Sequence, residues 1–221
     1  GDVSQNGDVS GYDASLILKY LVGTETLDNL QLTAADVTQD SSVSALDATA
    51  IAQYVVEIID TLPVGNTQNL TGGGDFVINE DEFTPGALLE IPILLTGGNN
   101  LLSFEMDISY DSDIMTFENV EWSEMISYFT IEENTEDGSI RFAGMGTTPD
   151  GEEGVFTTVS LFVQSSFNEE SIDVTINKYR INESEPMEDL VFTFSNSALG
   201  VDINVIPEVF SLHQNYPNPF N

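Results

Sequence analysis

Oxygen-bearing side chains recur at matching positions in two stretches near the start of the chain. Residues 1–23 read GDVSQNGDVSGYDASLILKYLVG and residues 35–57 read ADVTQDSSVSALDATAIAQYVVE, so the two copies align at an offset of 34 residues. In each copy, Ser, Thr, Asn or Asp occupies alternate positions after an opening Asp, and a further Asp precedes an apolar-periodic segment. A duplication of this kind indicates one structural unit used twice.

Calcium binding is the chemistry that this ladder of oxygens suits. Calcium takes about six to eight hard oxygen ligands, and alternate residues of a calcium loop point inward. Neither stretch contains His and the chain contains no Cys, so the ligands that zinc prefers are missing. An Asx-rich turn that caps a helix explains either stretch alone, but the repetition favours two calcium ions. The predicted ligands are Asp2, Ser4, Asn6, Asp8 and Asp13 in the first loop and Asp36, Thr38, Asp40, Ser42 and Asp47 in the second, with Ser10 and Ser44 bridging through water.

The loops depart from the full EF-hand pattern in two ways. The last ligand is Asp rather than Glu, and Ser41 stands where Gly7 makes the sharp turn of the first loop. A left-handed backbone at Ser costs on the order of 1 kcal/mol. Against this cost, the second loop offers three side-chain carboxylates where the first offers two, since Asp8 is predicted to bind through its backbone carbonyl. Asp2 also lies at the chain end, where fraying would loosen the first site. We expect the second site to be firmer, and the order of affinity stays open.

The charge of the chain narrows the classes of partner. Lys and Arg total 4 against 38 Asp and Glu, a formal net charge of −34. Such a chain repels the phosphates of nucleic acids and of anionic membranes, so neither is an expected partner. The acidity fits either divalent cations or a protein from a salty habitat. No run of about 18 apolar residues occurs, so no membrane insertion is predicted.

Each loop is followed by an apolar pattern with helical spacing, as at Leu16, Ile17, Tyr20 and Leu21. Loop and helix, repeated with LTAADV before the second copy, resemble a dockerin module over residues 1–60. The resemblance implies a small all-α domain of paired EF-hand-like loop–helix repeats that binds a cohesin through one copy at a time. The partner contacts that it implies are Gly11, Tyr12, Leu18 and Lys19 or, symmetrically, Ala45, Leu46, Ala52 and Gln53.

After the second repeat the sequence changes character. TLPVGNTQNLTGGG at residues 61–74 combines Pro, Asn and Gly without apolar periodicity, which predicts a flexible linker. Such a linker does not require the two domains to form a rigid pair, and whether they contact each other stays open. Beyond it, short runs alternate apolar and polar residues between Gly, Asn, Asp and Pro clusters, and they predict an all-β sandwich. These runs are LLEIPILL, LLSFEMDISY, IMTFENVEW, SIRFAGM, VFTTVSLFV and SIDVTIN.

The order of these runs, together with the pair Tyr110 and Asp111, resembles a cohesin module over residues 75–200. The resemblance implies a sandwich of the jelly-roll type that receives a dockerin on one sheet face, with polar contacts at Ser103 and Glu105. Both residues alternate with the apolar residues of their strand, so a solvated strand face explains them equally well.

The last segment, residues 201–221, ends in QNYPNPFN. This motif resembles the opening of a type IX secretion sorting tail, which implies export and retention at the cell surface. The predicted location is therefore extracellular or attached to the cell surface.

No catalytic constellation is recognisable, so the chain is predicted not to be an enzyme. The only His is His213 in the tail, Cys is absent, and the glycine-rich stretches lack the Lys of a phosphate loop. We predict a calcium-dependent docking adaptor in a cellulosome-like, polysaccharide-degrading assembly, with cohesin-bearing and dockerin-bearing partners. The alternatives are a secreted module that binds polysaccharide on Trp122, Tyr128 or Phe129, and the C-terminal fragment of a glycoside hydrolase.

Overall fold

The structure is a computed structural model, and it describes residues 1–64, 74–79, 81–98, 100–150, 153–182, 184 and 186–199. These residues form a helical unit, residues 1–64, and a β-sandwich, residues 74–199. The predicted sorting tail, with His213, lies outside the described residues. No helix in the described ranges is long and apolar enough to cross a bilayer.

Two long helices and a short one make up the helical unit: α1 (Gly11–Val22), α2 (Asn29–Ala35) and α3 (Ala45–Val55). The long helices begin after equivalent serines, Ser10 and Ser44. Each serine donates its backbone N–H and its hydroxyl to the carboxylate of the Asp three residues later. Gly23 ends α1 in the left-handed conformation, at φ 82°. These caps fix each loop to the start of its helix.

The short helix α2 is absent from the elements that the sequence predicted. Its N-cap, Asp28, accepts hydrogen bonds from the N–H groups of Leu30 and Gln31. Only Ala35 is buried along its length, so α2 has no apolar periodicity to reveal it. The side chain of Gln31 donates to the carbonyl of Val3 at 3.0 Å, which ties α2 to the first loop.

The sandwich consists of two packed sheets, as the sequence predicted. One sheet has the strand order β1-β3-β8-β5 and the other β2-β10-β9-β4-β7-β6. Neighbouring strands are antiparallel except β2 and β10. The strands are β1 (Asp75–Ile78), β2 (Glu82–Phe83), β3 (Leu88–Thr96), β4 (Leu101–Tyr110), β5 (Met115–Trp122), β6 (Thr130–Glu136), β7 (Ser139–Asp150), β8 (Gly154–Val163), β9 (Ser171–Ile181) and β10 (Met187–Asn196).

An aromatic cluster fills the space between the sheets. Phe104 is buried at its centre, with ring centroids 4.8 Å from Phe156 and 5.7 Å from Trp122. Gly144 on β7 lies against the Phe104 ring, so closely that a Cβ at this position would overlap it. Both sheets therefore meet through large rings and one obligatory small residue.

All six predicted runs lie in strands, whereas β1, β2, β6 and β10 were not among them. The sequence of β6, TIEENTE, is acidic and has only one apolar residue, so it shows no alternating pattern. β6 is an edge strand that pairs only with β7. Three of its positions are half-buried, and α1 packs over it. Its place in the sheet thus depends on pairing and on the helical unit rather than on an apolar face of its own.

The start of the predicted linker is part of the helical unit. Leu62 packs against the core of that unit, and the N–H of Val64 donates to the carbonyl of Val37 at 2.9 Å. Residues 61–64 are therefore not a flexible segment, which corrects the prediction for this part of 61–74. Residues 65–73 lie outside the described residues.

We expect the substitution Gly144→Ala to destabilise the sandwich by about 1–3 kcal/mol, because the added methyl group must displace the buried Phe104 ring. Denaturant unfolding followed by the fluorescence of Trp122, the single Trp, measures this change. Gly11→Ala is the matched control, since nothing lies within 4 Å of its Cβ position. An unchanged unfolding midpoint for Gly144→Ala would contradict the packing described.

Candidate functional site

The first loop is closed by carboxylates that accept hydrogen bonds from the loop's own backbone. Asp2 accepts hydrogen bonds from the N–H groups of Asn6 at 3.1 Å and of Gly7 at 2.9 Å. Asp13 accepts from the N–H groups of Ser4 at 2.8 Å and of Ser10 at 2.9 Å. The Ser4 hydroxyl also donates to Asp2 at 3.4 Å. The structure therefore brings together the predicted ligands from both ends of the loop.

The second loop closes in the same way, with more of its donors on one carboxylate. Asp47 has no exposed surface. It accepts from the N–H groups of Val37, Thr38 and Ser44 and from the Thr38 hydroxyl, at 2.8 to 3.0 Å. One oxygen of Asp36 accepts from the N–H of Ser41 at 3.2 Å. Its other oxygen, Oδ1, is buried and has no hydrogen-bond partner in the chain.

The two loops share their backbone conformation position by position. Gln5 and Gln39 are left-handed at φ 59° and 60°, and Gly7 and Ser41 are left-handed at φ 98° and 75°. Ser41 therefore adopts the strained conformation that the sequence comparison with Gly7 predicted. In both loops an Asx turn follows. Asn6 accepts from the N–H of Asp8, and Asp40 accepts from the N–H of Ser42.

The two closing carboxylates differ in acidity. Burial is the main influence on Asp47 and raises its pKa to about 6, against the donors from Thr38 and Ser44, with the charge of Asp36 adding to the rise. Burial also opposes ionisation of Asp13, but the N–H and hydroxyl donors of Ser4 and Ser10 outweigh it and lower the pKa. The second loop therefore holds a proton more readily than the first.

Mixed oxygen donors rather than a carboxylate cluster define both loops. Within the described residues, no group of three or more His, Cys, Asp or Glu side chains is placed to hold a metal ion. Carboxylate, amide and hydroxyl oxygens together are the donors of a hard cation such as calcium. The buried, unpartnered Oδ1 of Asp36 is an oxygen that a cation would satisfy. The second loop therefore fits a calcium ion.

A second candidate site is the side of the β2–β6 sheet that points away from the sandwich core, over β9, β4, β7 and β6. We name this side of the sheet the outer face, and its residues are given at the end of this paragraph. Cross-strand register places them in adjacent rows, such as Arg180 beside Glu105 and Asp107 beside Arg141. The outer face consists of Ser103, Glu105, Asp107, Glu132, Asn134, Arg141, Ala143, Met145, Lys178 and Arg180.

Helix α3 lies on this outer face and is hydrogen-bonded to it along its length. The N–H of Ala45, at the start of the helix, donates to Glu105 at 3.0 Å. One turn later the Thr49 hydroxyl donates to the carbonyl of Leu102 at 3.0 Å, and Gln53 donates to the carbonyl of Thr147 at 3.0 Å. All residues from Ala45 to Gln53 are buried, because α1 covers one side of the helix and the sheet covers the other.

Helix α1 contacts the edge of the same face. The Ser15 hydroxyl donates to Glu132 at 3.1 Å, and Asn134 donates to the carbonyl of Val22 at 3.0 Å. Ala143 and Met145 of β7 belong to the same apolar cluster as the buried residues of the helical unit. The helical unit and the sandwich thus share a continuous apolar contact that is flanked by hydrogen bonds.

The implied partner contacts divide into two groups. Ala45, Leu46, Ala52 and Gln53 of the second copy are buried, and this copy meets Ser103 and Glu105 within one chain. In the first copy Leu18 is buried, Lys19 is half-buried, and Gly11 and Tyr12 are exposed. Ser103 is 1% exposed, so the alternative of a solvated strand face is wrong for this residue.

Several contact residues were not found from the sequence, although two signals point to them. Arg141, Ala143 and Met145 alternate with the core residues of SIRFAGM, and two of these three outward residues are apolar. The sequence ALDATAIAQ of α3 has small apolar residues on every side, which is typical of a helix buried all round. Thr49 and Ser15 carry no such signal.

The aromatic residues considered as sugar platforms do not form an open platform. Trp122 and Phe129 are partly buried and pack against the sandwich core, where both contact Phe104. Tyr128 is 46% exposed and its ring lies 5.2 Å from that of Phe129.

Two protein-family models match the chain. Residues 1–56 match the dockerin type I domain, and residues 74–199, more than half of the chain, match the cohesin domain. No curated protein matches it.

The chain is also similar to solved cohesin structures. The sixth cohesin of Acetivibrio cellulolyticus scaffoldin B, solved with a mutant dockerin, has 16% identity and a TM-score of 0.47, covering 56% of this chain and 99% of that chain. A type I cohesin–dockerin complex from Clostridium thermocellum has 16% identity and a TM-score of 0.47, covering 55% and 97%. A Clostridium acetobutylicum protein, CaCohA2, has 12% identity and a TM-score of 0.49, covering 57% and 91%. On the match of residues 74–199, the chain belongs to the cohesin family, and a dockerin type I domain precedes its cohesin domain.

Proposed function

We propose that the chain is a calcium-dependent docking adaptor of an extracellular, cellulosome-like assembly. Dockerin and cohesin domains are non-catalytic modules of protein–protein docking, and this chain carries one of each. The observation that carries the proposal is the contact of α3, the helix of the second dockerin repeat, with Glu105 on the outer face of the cohesin domain. The dockerin domain binds a cohesin, and the cohesin domain binds a dockerin.

Two calcium ions support this docking in our proposal, one in each loop. The first is held by Asp2, Ser4, Asn6, Asp8 and Asp13, and the second by Asp36, Thr38, Asp40, Ser42 and Asp47. A calcium ion bound in either loop would neutralise the negative charge of the loop's carboxylates. Residues 1–60 contain ten acidic residues and one basic residue, a formal charge of −9, and two calcium ions reduce it to −5. The reduced charge lowers the repulsion from an acidic partner.

The docking surfaces follow from the same contact. On the dockerin domain they are the loop ends and helix faces of either copy, and on the cohesin domain they are centred on Ser103 and Glu105. Glu105 supports this role because its carboxylate accepts the N–H at the start of α3, where the helix dipole favours a negative charge. The implied dockerin residues are Gly11, Tyr12, Leu18, Lys19, Ala45, Leu46, Ala52 and Gln53.

The location we propose is outside the cell, free or attached to its surface. The support is the pairing of dockerin and cohesin domains with the QNYPNPFN motif of residues 214–221. Capture experiments from a native secretome, with the whole chain as bait and with calcium or a chelator, test the function. We expect cohesin-bearing or dockerin-bearing proteins to be recovered when calcium is present and to be lost when the chelator is added. Recovery of neither class would overturn the proposal.

Removing one carboxylate from each loop should abolish calcium binding. Asp13→Ala with Asp47→Ala removes the residues that close both loops, so titration calorimetry should show the loss of both binding events. Glu25→Ala is the matched control, because Glu25 is exposed and lies outside the loops. Calcium uptake by the double variant equal to that of wild type would contradict the ligand assignment.

The stability of the calcium-free protein should depend on pH through Asp47. A carboxyl whose pKa is raised on folding, here to about 6, destabilises the folded state as the pH rises from about 4 to about 6. Over this range the free energy of unfolding of wild type falls by at most roughly 3 kcal/mol relative to that of the variant Asp47→Asn, whose side chain does not titrate. Unfolding in chelator at several pH values measures the difference between the two proteins. A constant difference over this range contradicts the prediction, and added calcium should reduce the loss because it favours the ionised carboxylate.

A further inference from the structure

The contact between the two domains of this chain uses the surfaces that docking to a separate partner would use. Helix α3 covers Ser103 and Glu105, and Ala45, Thr49 and Gln53 all hydrogen-bond to the cohesin domain. The first repeat is partly covered as well, because Ser15 and the carbonyl of Val22 contact β6 of the same sheet. Leu18 lies between these two residues on the helix surface and is fully buried. Neither repeat therefore presents a complete free surface.

Charge explains why the dockerin domain lies at this place on the cohesin domain. The four basic residues of the chain are Lys19 and, on or beside the covered strands, Arg141, Lys178 and Arg180. Residues 61–221 contain 28 acidic residues and only these last three basic ones. All three belong to the outer face, where Arg141 pairs with Asp107 at 3.5 Å and Lys178 with Glu105 at 3.9 Å. An acidic domain meets its least repulsive surface there.

The contact is nevertheless incompletely satisfied. Across the described ranges, four buried side-chain atoms lack a hydrogen-bond partner in the chain, and two of them belong to this contact: Oε1 of Gln53 and Oγ of Ser103. A third, Nε of Arg180, lies on the outer face in the strand position beside Glu105. A cavity of about 250 Å³ also remains between Leu21 of α1 and the strands that carry Asp107, Arg141 and Lys178. Unmet polar groups and a gap both weaken an interface, so they lower the free energy that a competing partner must supply.

We propose that this chain docks onto itself. Its dockerin domain occupies the outer face of its own cohesin domain, and cohesins or dockerins of other proteins bind only by displacing this contact. The inference rests on the proposed docking function, to which it adds an intramolecular closed form that holds both sites in reserve. The apparent affinity for a partner then falls in proportion to the fraction of open chains.

Two variants, one in each domain, place a charge within the contact and thereby separate the open form from the closed form. Ala143 is fully buried, but it points from β7 toward the helices, so Ala143→Glu places a charge in the contact and leaves the sandwich interior unchanged. Thr49 donates to the carbonyl of Leu102, so Thr49→Glu places a charge opposite a carbonyl acceptor. Val191→Glu is the matched control, because Val191 lies on β10 of the same sheet and is 55% exposed.

Sedimentation velocity and small-angle scattering of the whole chain in calcium test the closed form. Wild type and Val191→Glu should be compact monomers, and Ala143→Glu and Thr49→Glu should be monomers with a lower sedimentation coefficient and a larger radius of gyration. The fluorescence emission spectrum of Trp122 in folded Ala143→Glu should match that of wild type, which shows that the packing inside the sandwich is intact. Equal dimensions in all four proteins would overturn the proposal. A concentration-dependent dimer of wild type would overturn it in favour of docking between two copies.

Mixing the two variants tests whether the contact is a docking contact. Ala143→Glu keeps an intact dockerin domain and Thr49→Glu keeps an intact outer face, so together they should form a 1:1 complex. Wild type should bind either variant at least about tenfold more weakly, as expected if nine-tenths of its molecules are closed. No complex between the variants would overturn self-docking. Secretome capture that fails while this complex forms would instead reject the proposed adaptor function alone.

Discussion

The buried carboxylate of Asp47 joins the three features on which this protein depends. It closes the second loop by accepting the N–H groups of Val37 and Thr38, and it caps α3 through Ser44. The same helix start presents the N–H of Ala45 to Glu105 of the cohesin domain. Loop closure, helix initiation and domain contact are therefore coupled within about one turn of helix.

The charge of the chain acts against the contact that this helix makes. Both domains are strongly acidic, and the three basic residues of the cohesin domain lie on the outer face, on or beside the strands that the helices cover. Local pairs such as Lys178 with Glu105 contribute little by themselves, because Lys178 is partly exposed. Their main effect is to choose the position of the contact, and apolar burial around Ala143 and Met145 supplies the attraction.

Burial of α3 on all sides also distinguishes the two dockerin repeats. Their loops agree in backbone conformation, as at Gly7 and Ser41, and their helices begin in the same way. The contacts of the helices differ, since α3 lies along β4 and β7 while α1 reaches the edge strand β6. A duplicated sequence has thus acquired two roles in one chain: one repeat makes the central contact, and the other supports it from the side.

The sequence by itself determined the local elements and the chemistry of the loops. Alternating oxygens identified both loops, helical spacing identified α1 and α3, and period-two alternation identified six strands of the sandwich. These patterns are readable because each depends on neighbours a few residues apart. The edge strand β6 and the helix α2 lack such patterns, since one depends on pairing and the other has a single buried residue. Only the tertiary structure decided that α3 covers Ser103 and Glu105 of the same chain. That outcome depends on whether the polar face of a strand and a helix of small residues pack together although more than fifty residues of sequence separate them. No local pattern encodes such a distant match of shape and charge.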